Sequence, residues 1–92
     1  MDQAVAVELP GLMSITVHDW EHTRRAHLED VPTNASVAEI MEEARRVMGL
    51  SSDTPYRLLR GERQLNGMDS LADAGVVPSD ALEIVPEVHA GR

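Results

Sequence analysis

One segment of this chain, residues 37–48, has the hydrophobic pattern of a single amphipathic α-helix. Its apolar residues recur three or four positions apart, and they are Val37, Ile40, Met41, Ala44, Val47 and Met48. Ser36 and Glu39 form a Ser-x-x-Glu capping box at the start of this run. Gly49 follows it and has the backbone freedom that closes a helix. The sequence therefore predicts one helix, with charged residues on its solvent-facing side.

Short stretches of alternating apolar and polar residues flank this helix on both sides. The strands predicted from them, in chain order, are residues 13–17, 26–29, 56–59, a short pairing at Leu65, and 82–87. A polar turn at 19–23 joins the first two strands into a hairpin, and residues 70–76 form one helical turn. This order predicts an α+β fold in which a mixed sheet of four to five strands packs on one helix. The long crossover allows the first and last strands to pair in parallel.

Charge and composition exclude several classes of function. The 92 residues include 16 acidic and 8 basic side chains, giving a net charge of −8. This charge opposes binding to nucleic acid and to anionic membranes. The sequence has no cysteine, which excludes disulfides, thiolate metal sites and cysteine nucleophiles. No apolar stretch is long enough to span a bilayer, and we expect a cytoplasmic protein.

Enzymatic activity and cofactor binding are not predicted. The sequence has no glycine-rich phosphate loop and no nucleophile elbow, and its length leaves no room for a two-domain cleft. His18, His22 and His27 lie close together in the sequence, but their spacing spans a predicted strand and turn rather than one face of a helix. We therefore predict a solvated hairpin there and no metal site.

The order of these elements resembles the ubiquitin-like β-grasp fold, in its prokaryotic type. The segments that carry the resemblance are residues 31–36, Gly49 and Leu50, Arg60 and Gly61, Gln64 and Leu65, residues 70–73, and residues 82–85. One residue is inserted between Gly61 and Leu65 relative to ubiquitin. Residues 71–84 also resemble the ubiquitin-like proteins associated with bacterial type VII secretion. The resemblance implies a ubiquitin-like domain at 13–86 and an extended C-terminal tail at 87–92.

Residues 1–12 are predicted to form a flexible N-terminal arm. Val5, Val7 and Leu9 alternate with small or polar residues. A strand that turns back at Pro10 and Gly11 fits this pattern equally well.

The C-terminal residues are where the resemblance implies a reaction. Aligning Val85 with the valine in the last strand of ubiquitin puts Gly91 on the terminal glycine, with Ala90 before it and Arg92 one residue beyond it. The resemblance implies that a peptidase removes Arg92, and that an adenylating enzyme then activates the Gly91 carboxylate for conjugation to a target. Small residues here let the tail enter a narrow channel, although Ala90 departs from the Gly-Gly of ubiquitin and the sulfur carriers. The other interpretation is an unreactive frayed end.

The resemblance also implies a partner-binding patch on the sheet face that the helix leaves uncovered. Trp20, Leu58 and Val85 take the places of the apolar residues in the recognition patch of ubiquitin, and His89 flanks them. Two questions stay open at this point. The pattern does not decide whether Leu58 or Leu59 faces the core, or whether Trp20 folds onto its own hairpin.

We therefore predict a bacterial ubiquitin-like protein modifier that serves as substrate and carrier rather than as an enzyme. Its expected partners are activating and conjugating enzymes, a processing peptidase and target proteins. The alternatives are a non-conjugated adaptor, such as a type VII secretion accessory, and a sulfur carrier. All eight basic residues are arginine, so the sequence offers no lysine to accept a further modifier.

Overall fold

This computed structural model describes residues 11–87. They fold into a mixed five-stranded sheet with one helix across one face. The elements are β1 Leu12–Asp19, β2 Arg25–Pro32, α1 Val37–Met48, β3 Tyr56–Arg60, β4 Arg63–Gln64 and β5 Ala81–Pro86. The strand order in the sheet is β2-β1-β5-β3-β4. β1 and β5 are parallel, and the other neighbours are antiparallel. The predicted α+β architecture and the parallel pairing of the first and last strands are both confirmed.

The boundaries of α1 agree with the sequence prediction because both ends are specified by local hydrogen bonds. Ser36 Oγ accepts from the backbone N–H of Glu39, whose carboxylate accepts from the backbone N–H of Ser36. Val37 N–H donates to the carbonyl of Asp69, and the next N–H donates to that of Gly67. The loop before the last strand thus accepts the N–H groups that a helix start leaves unpaired.

The C-terminal end of α1 closes on Gly49, which adopts the left-handed conformation with φ 70°. Its N–H donates to the carbonyl of Arg46, and Leu50 N–H donates to that of Arg45. Leu50 is buried against the core, as is usual for the hydrophobic residue that follows such a cap. No helix among residues 11–87 is both long and apolar enough to cross a bilayer.

β2 extends three residues beyond its predicted end because a β-bulge interrupts the alternation. Met13 pairs with Val31, whereas Ile15 pairs with Leu28, so β2 carries one extra residue between these pairs. Asp30 takes a left-handed backbone conformation there, with φ 57°. The extra residue shifts the phase of the strand, and Val31 rather than Asp30 faces the core.

The hydrophobic core lies between α1 and the sheet. Its most deeply buried side chains are Ile15, Val17, Val37, Leu58, Leu71, Leu82 and Ile84. Two residues of the predicted apolar helix face are not part of this core: Met41 is half-buried and Val47 is exposed. The buried stripe of α1 is therefore narrower than the sequence pattern, and Met41 lies at its margin.

Asp19, at the end of β1, is the buried charged residue of the described chain, with 2% of its surface exposed. Its carboxylate accepts hydrogen bonds from Thr23 N–H at 2.8 Å, Thr23 Oγ1 at 2.9 Å and Arg24 N–H at 3.1 Å. Burial by itself raises the pKa of Asp19. The hydrogen bonds from Arg24 and Thr23 outweigh this effect and hold the pKa below its ordinary value. The ionised carboxylate thus fixes the turn between β1 and β2.

We expect Asp19→Asn to lower the free energy of unfolding by about 1–3 kcal/mol at neutral pH, because a neutral amide replaces a buried, hydrogen-bonded carboxylate. The folded-state pKa lies below the unfolded value of about 3.9, so the carboxylate stabilises the fold above that pH. This contribution is lost as the pH falls through the folded-state pKa. Urea unfolding at a series of pH values measures the difference between the two proteins, which should shrink on acidification.

The matched control is Asp53→Asn, because Asp53 lies on an exposed loop. It should change stability by less than about 0.5 kcal/mol at any pH. A destabilisation by Asp19→Asn that stayed constant down to pH 2 would show that its charge does not hold the turn.

Candidate functional site

One face of the sheet is not covered by α1, and we call it the open face. In the β3–β5 pair, Arg57 is opposite Val85 and Leu59 is opposite Glu83. All four side chains are half-buried and lie on the open face, since side chains alternate along each strand. His18 of β1 extends the same row because it is opposite Glu83 on the other side of β5.

The prediction that Leu58 contributes to this face is wrong. Leu58 is 1% exposed and lies opposite Ile84, which is fully buried. Both point towards α1, and the next residue, Leu59, must therefore point to the open face. Leu59 and Val85 are diagonal neighbours there and form its apolar centre. Val85 and Glu83 lie on the open side of β5, and their pairing partners in β3 are Arg57 and Leu59. The strand pairing therefore identifies Leu59 as the leucine of the open face.

Trp20 does not join Val85 on the open face. It packs against the hydrophobic core, and its ring centroid lies 6.4 Å from that of Tyr56. Tyr56 has the same register as Leu58 and so belongs to the helix-facing side of β3. The structure thus places Trp20 beside Tyr56 of β3, at the margin of the core, rather than in the predicted patch.

Several histidine and arginine side chains border the apolar centre of the open face. The rings of His18 and His22 stack with centroids 5.6 Å apart. His22 Nε2 lies 4.0 Å from a carboxylate oxygen of Glu83, and Arg25 is opposite His18 on β2. No group of three or more potential ligands within residues 11–87 is placed to hold a metal ion. The arginines of this border supply positive charge on a chain whose net charge is −8.

The chain leaves the sheet next to this face. β5 ends at Pro86, and the N–H of Glu87 donates to the carbonyl of Pro55 at 2.9 Å. The predicted site residues His89, Ala90, Gly91 and Arg92 lie outside the described residues. Residues 1–10 of the predicted N-terminal arm also lie outside them, while Leu12 of that arm belongs to β1.

Solved structures similar to this one are ubiquitin-like. The ubiquitin of Caldiarchaeum subterraneum matches with a TM-score of 0.71 and 26% identity, over 83% of this chain and 94% of that chain. A de novo designed protein based on ubiquitin matches with a TM-score of 0.70 and 23% identity, over 84% and 90%. A structure described as a molecular mimic of SUMO that promotes DNA repair has a TM-score of 0.69 and 15% identity, over 80% and 90%.

No protein-family model and no curated protein sequence matches the chain. The structural matches show that it has the ubiquitin-like β-grasp fold, as the sequence predicts. The likeness of residues 71–84 to type VII secretion proteins stays a prediction.

The two adjacent leucines of β3 should respond very differently to truncation. We expect Leu58→Ala to lower the free energy of unfolding by about 2–5 kcal/mol, because it leaves a cavity in the core. Leu59→Ala should cost about 1 kcal/mol or less, because the side chain is already partly solvated. Urea unfolding of the two variants makes the comparison, and equal losses would contradict the assignment of the faces.

Proposed function

We propose that this chain is a protein modifier of the ubiquitin type, joined to its targets through the carboxylate of Gly91. The observation that carries the proposal is the exit of the chain at Pro86, from a central strand and beside the open face. A modifier needs a reactive end and a recognition surface that one enzyme can contact together. Leu59 and Val85 supply the apolar centre of such a surface next to the exit.

The exit point is firmly held. β5 is paired with β1 on one side and with β3 on the other, and Glu87 N–H adds a last hydrogen bond to Pro55. Beyond it, residues 88–91 would reach at most about 14 Å if fully extended. A reactive carboxylate at Gly91 would then be presented at a fixed distance from the open face, which orients it for an enzyme bound there.

In the proposed reaction sequence the chain is a substrate and carrier. A peptidase hydrolyses the peptide bond before Arg92 and frees the Gly91 carboxylate. The carboxylate attacks the α-phosphate of ATP, which releases pyrophosphate and leaves an acyl adenylate. A cysteine of a conjugating enzyme then displaces AMP to form a thioester. A target amine or hydroxyl finally displaces the thiol. None of these steps uses a catalytic group from this chain.

The open face is the proposed docking surface for these enzymes and for proteins that recognise the conjugate. Its apolar pair is small, and a rim of polar side chains surrounds it, an arrangement in which a few central residues dominate binding. Arg57 and Arg25 give the rim positive charges that suit acidic partners. The expected bacterial origin and cytoplasmic location stay predictions.

The tail is tested by three forms of the chain in its own cells, analysed by intact and peptide mass spectrometry. The complete sequence should yield a form ending at Gly91 and larger species in which Gly91 is bonded to another protein. A form that already ends at Gly91 should be conjugated without the peptidase. A form that lacks Gly91 and Arg92 should give no conjugates.

The form ending at Gly91 is the matched control, since it differs from the inactive form by a single residue. If all three forms stay unconjugated, and Arg92 is retained in the complete chain, the modifier proposal fails. The non-conjugated adaptor then becomes the better interpretation, because its binding does not depend on residues 90–92.

The absence of lysine makes a separate prediction about the conjugates. The sequence contains no lysine side chain, so no polymer can be linked through a side-chain amine within the body of the modifier. We expect any chain of modifiers to be linked through the α-amine of Met1 or through a hydroxyl group. Linkage peptides that map neither to Met1 nor to a serine, threonine or tyrosine side chain of the modifier would contradict this.

A further inference from the structure

The outer edge of β3 is only partly covered by β4. β4 pairs with Leu59 and Arg60, and Leu65 N–H adds one bond to the carbonyl of Leu58 at 2.9 Å. The chain then turns away to the start of α1, where the carbonyl of Gly67 accepts a helix N–H. Beyond this point no described strand lies beside the first half of β3.

The backbone of this first half is directed outward. Because the N–H of Glu87 bonds to the carbonyl of Pro55, residues 55, 57 and 59 present their backbone groups to β5. Tyr56 and Leu58 therefore present theirs to the opposite side. Within residues 11–87, the backbone groups of Tyr56 and the N–H of Leu58 have no backbone partner on that side. An unpaired edge of this kind is a template for one more strand.

A cavity of about 200 Å³ lies along this edge. Val37 and Met41 line it from α1, and Leu58 and Leu65 line it from the sheet. A second cavity of about 260 Å³ continues it along α1 and shares Met41 and Tyr56 with it. We call the two cavities together, with the outer edge of Tyr56–Leu58, the edge groove. The first cavity is also lined by Gln64 and Glu87, and the second by Glu42, Arg45, Ser52 and Thr54. The part of the groove beside Met41 is therefore the part that suits an aliphatic side chain.

Arg57 lines the same groove from the open-face side of β3. Its Nε is buried and has no hydrogen-bond partner among the described residues. Its Nη1 reaches Gln64 Oε1 only at 3.4 Å. A buried donor without a partner is unfavourable, and a carboxylate brought to this point would satisfy it. A strand added here would therefore alternate aliphatic residues towards α1 with an acidic residue towards Arg57.

Residues 4–9 of this chain have that pattern. Val5, Val7 and Leu9 alternate with Ala4, Ala6 and Glu8, so in an extended strand the aliphatic side chains share one side and Glu8 lies on the other. If Val7 and Leu9 enter the groove, Glu8 faces Arg57. The proposed conjugation does not use this segment.

With Val7 and Leu9 in the groove, the segment cannot belong to the same molecule as the groove. Leu58 pairs with Ile84, and Ile84 pairs with Asp19, so Leu58 lies at the same height in the sheet as Asp19. Leu12 is seven residues before Asp19 in β1, which is roughly 23 Å along the strand. The link from Leu9 to Leu12 spans at most about 11 Å. The occupant must therefore come from a second copy of the chain.

We propose that residues 4–9 of one copy bind the edge groove of another copy as an added β-strand. The aliphatic side chains fill the cavities beside Met41, and Glu8 pairs with Arg57 of the receiving copy. The contact is reversible, because along the described part of the groove only Tyr56–Leu58 offer backbone groups without a backbone partner. It needs no conjugating enzyme and is independent of the tail.

The test is a charge exchange in the full chain, measured by sedimentation equilibrium. The unaltered chain should associate as its concentration rises. Glu8→Arg and Arg57→Glu should each weaken association by about tenfold or more, because like charges then meet in the groove. An equimolar mixture of the two variants should recover association, since each mixed pair again opposes a negative and a positive side chain.

Controls separate this contact from general charge effects. Arg63→Glu changes an exposed arginine of β4 that does not line the groove, and it should leave association unchanged. Met41→Gln should weaken association, whereas Val47→Gln, on the exposed side of the same helix, should not. Circular dichroism confirms that each variant is folded before it is compared.

Three results would overturn the proposal. They are a chain that stays monomeric at millimolar concentration, association that Arg57→Glu does not weaken, and a mixture of the two charge variants that fails to recover. In the last two cases the copies associate through another surface, and the edge groove would be left for an acidic segment of another protein.

Discussion

The pairing of β1 with β5 is the constraint on which the other parts of this structure depend. Two parallel strands need a long connection between them, and this one contains the helix, β3, β4 and the loops that hold them. The pairing brings the beginning and end of the described chain into adjacent strands and closes the core over α1. It also sets β5 in the centre of the sheet, so the direction in which the chain leaves at Pro86 is fixed by hydrogen bonds on both sides.

The helix start joins the two halves of this connection. Carbonyl groups of Gly67 and Asp69 accept the N–H groups of the first helical residues, so the loop before β5 and the segment after β2 cannot form independently of each other. The loop is held in two ways. Its carbonyl groups accept the N–H groups at the positive end of the helix dipole, and its side chains of Leu65, Leu71, Ala74 and Val76 are buried in the core.

The sequence predicts the helix and the element order well because their signals are local. The capping box at Ser36 and the glycine at position 49 each fix a boundary through contacts within a few residues. The far end of β2 was not predictable in the same way, since the bulge at Asp30 breaks the alternation on which strand prediction depends. The sequence predicts the candidate site in part: the alternation along β5 puts Val85 on the open face, whereas the resemblance names Leu58 at a place that Leu59 takes. Two leucines in succession carry no information about which one faces inward, and only pairing with Ile84 and Glu83 decides it.

The two adjacent leucines have a consequence for the evolution of such a protein. Leu58 is fixed by the packing of the core, and its neighbour is fixed only by what docks on the open face. A substitution at position 59 can therefore alter the choice of partners while the fold keeps its stability. Selection can act on the two properties separately, although their residues are joined by one peptide bond.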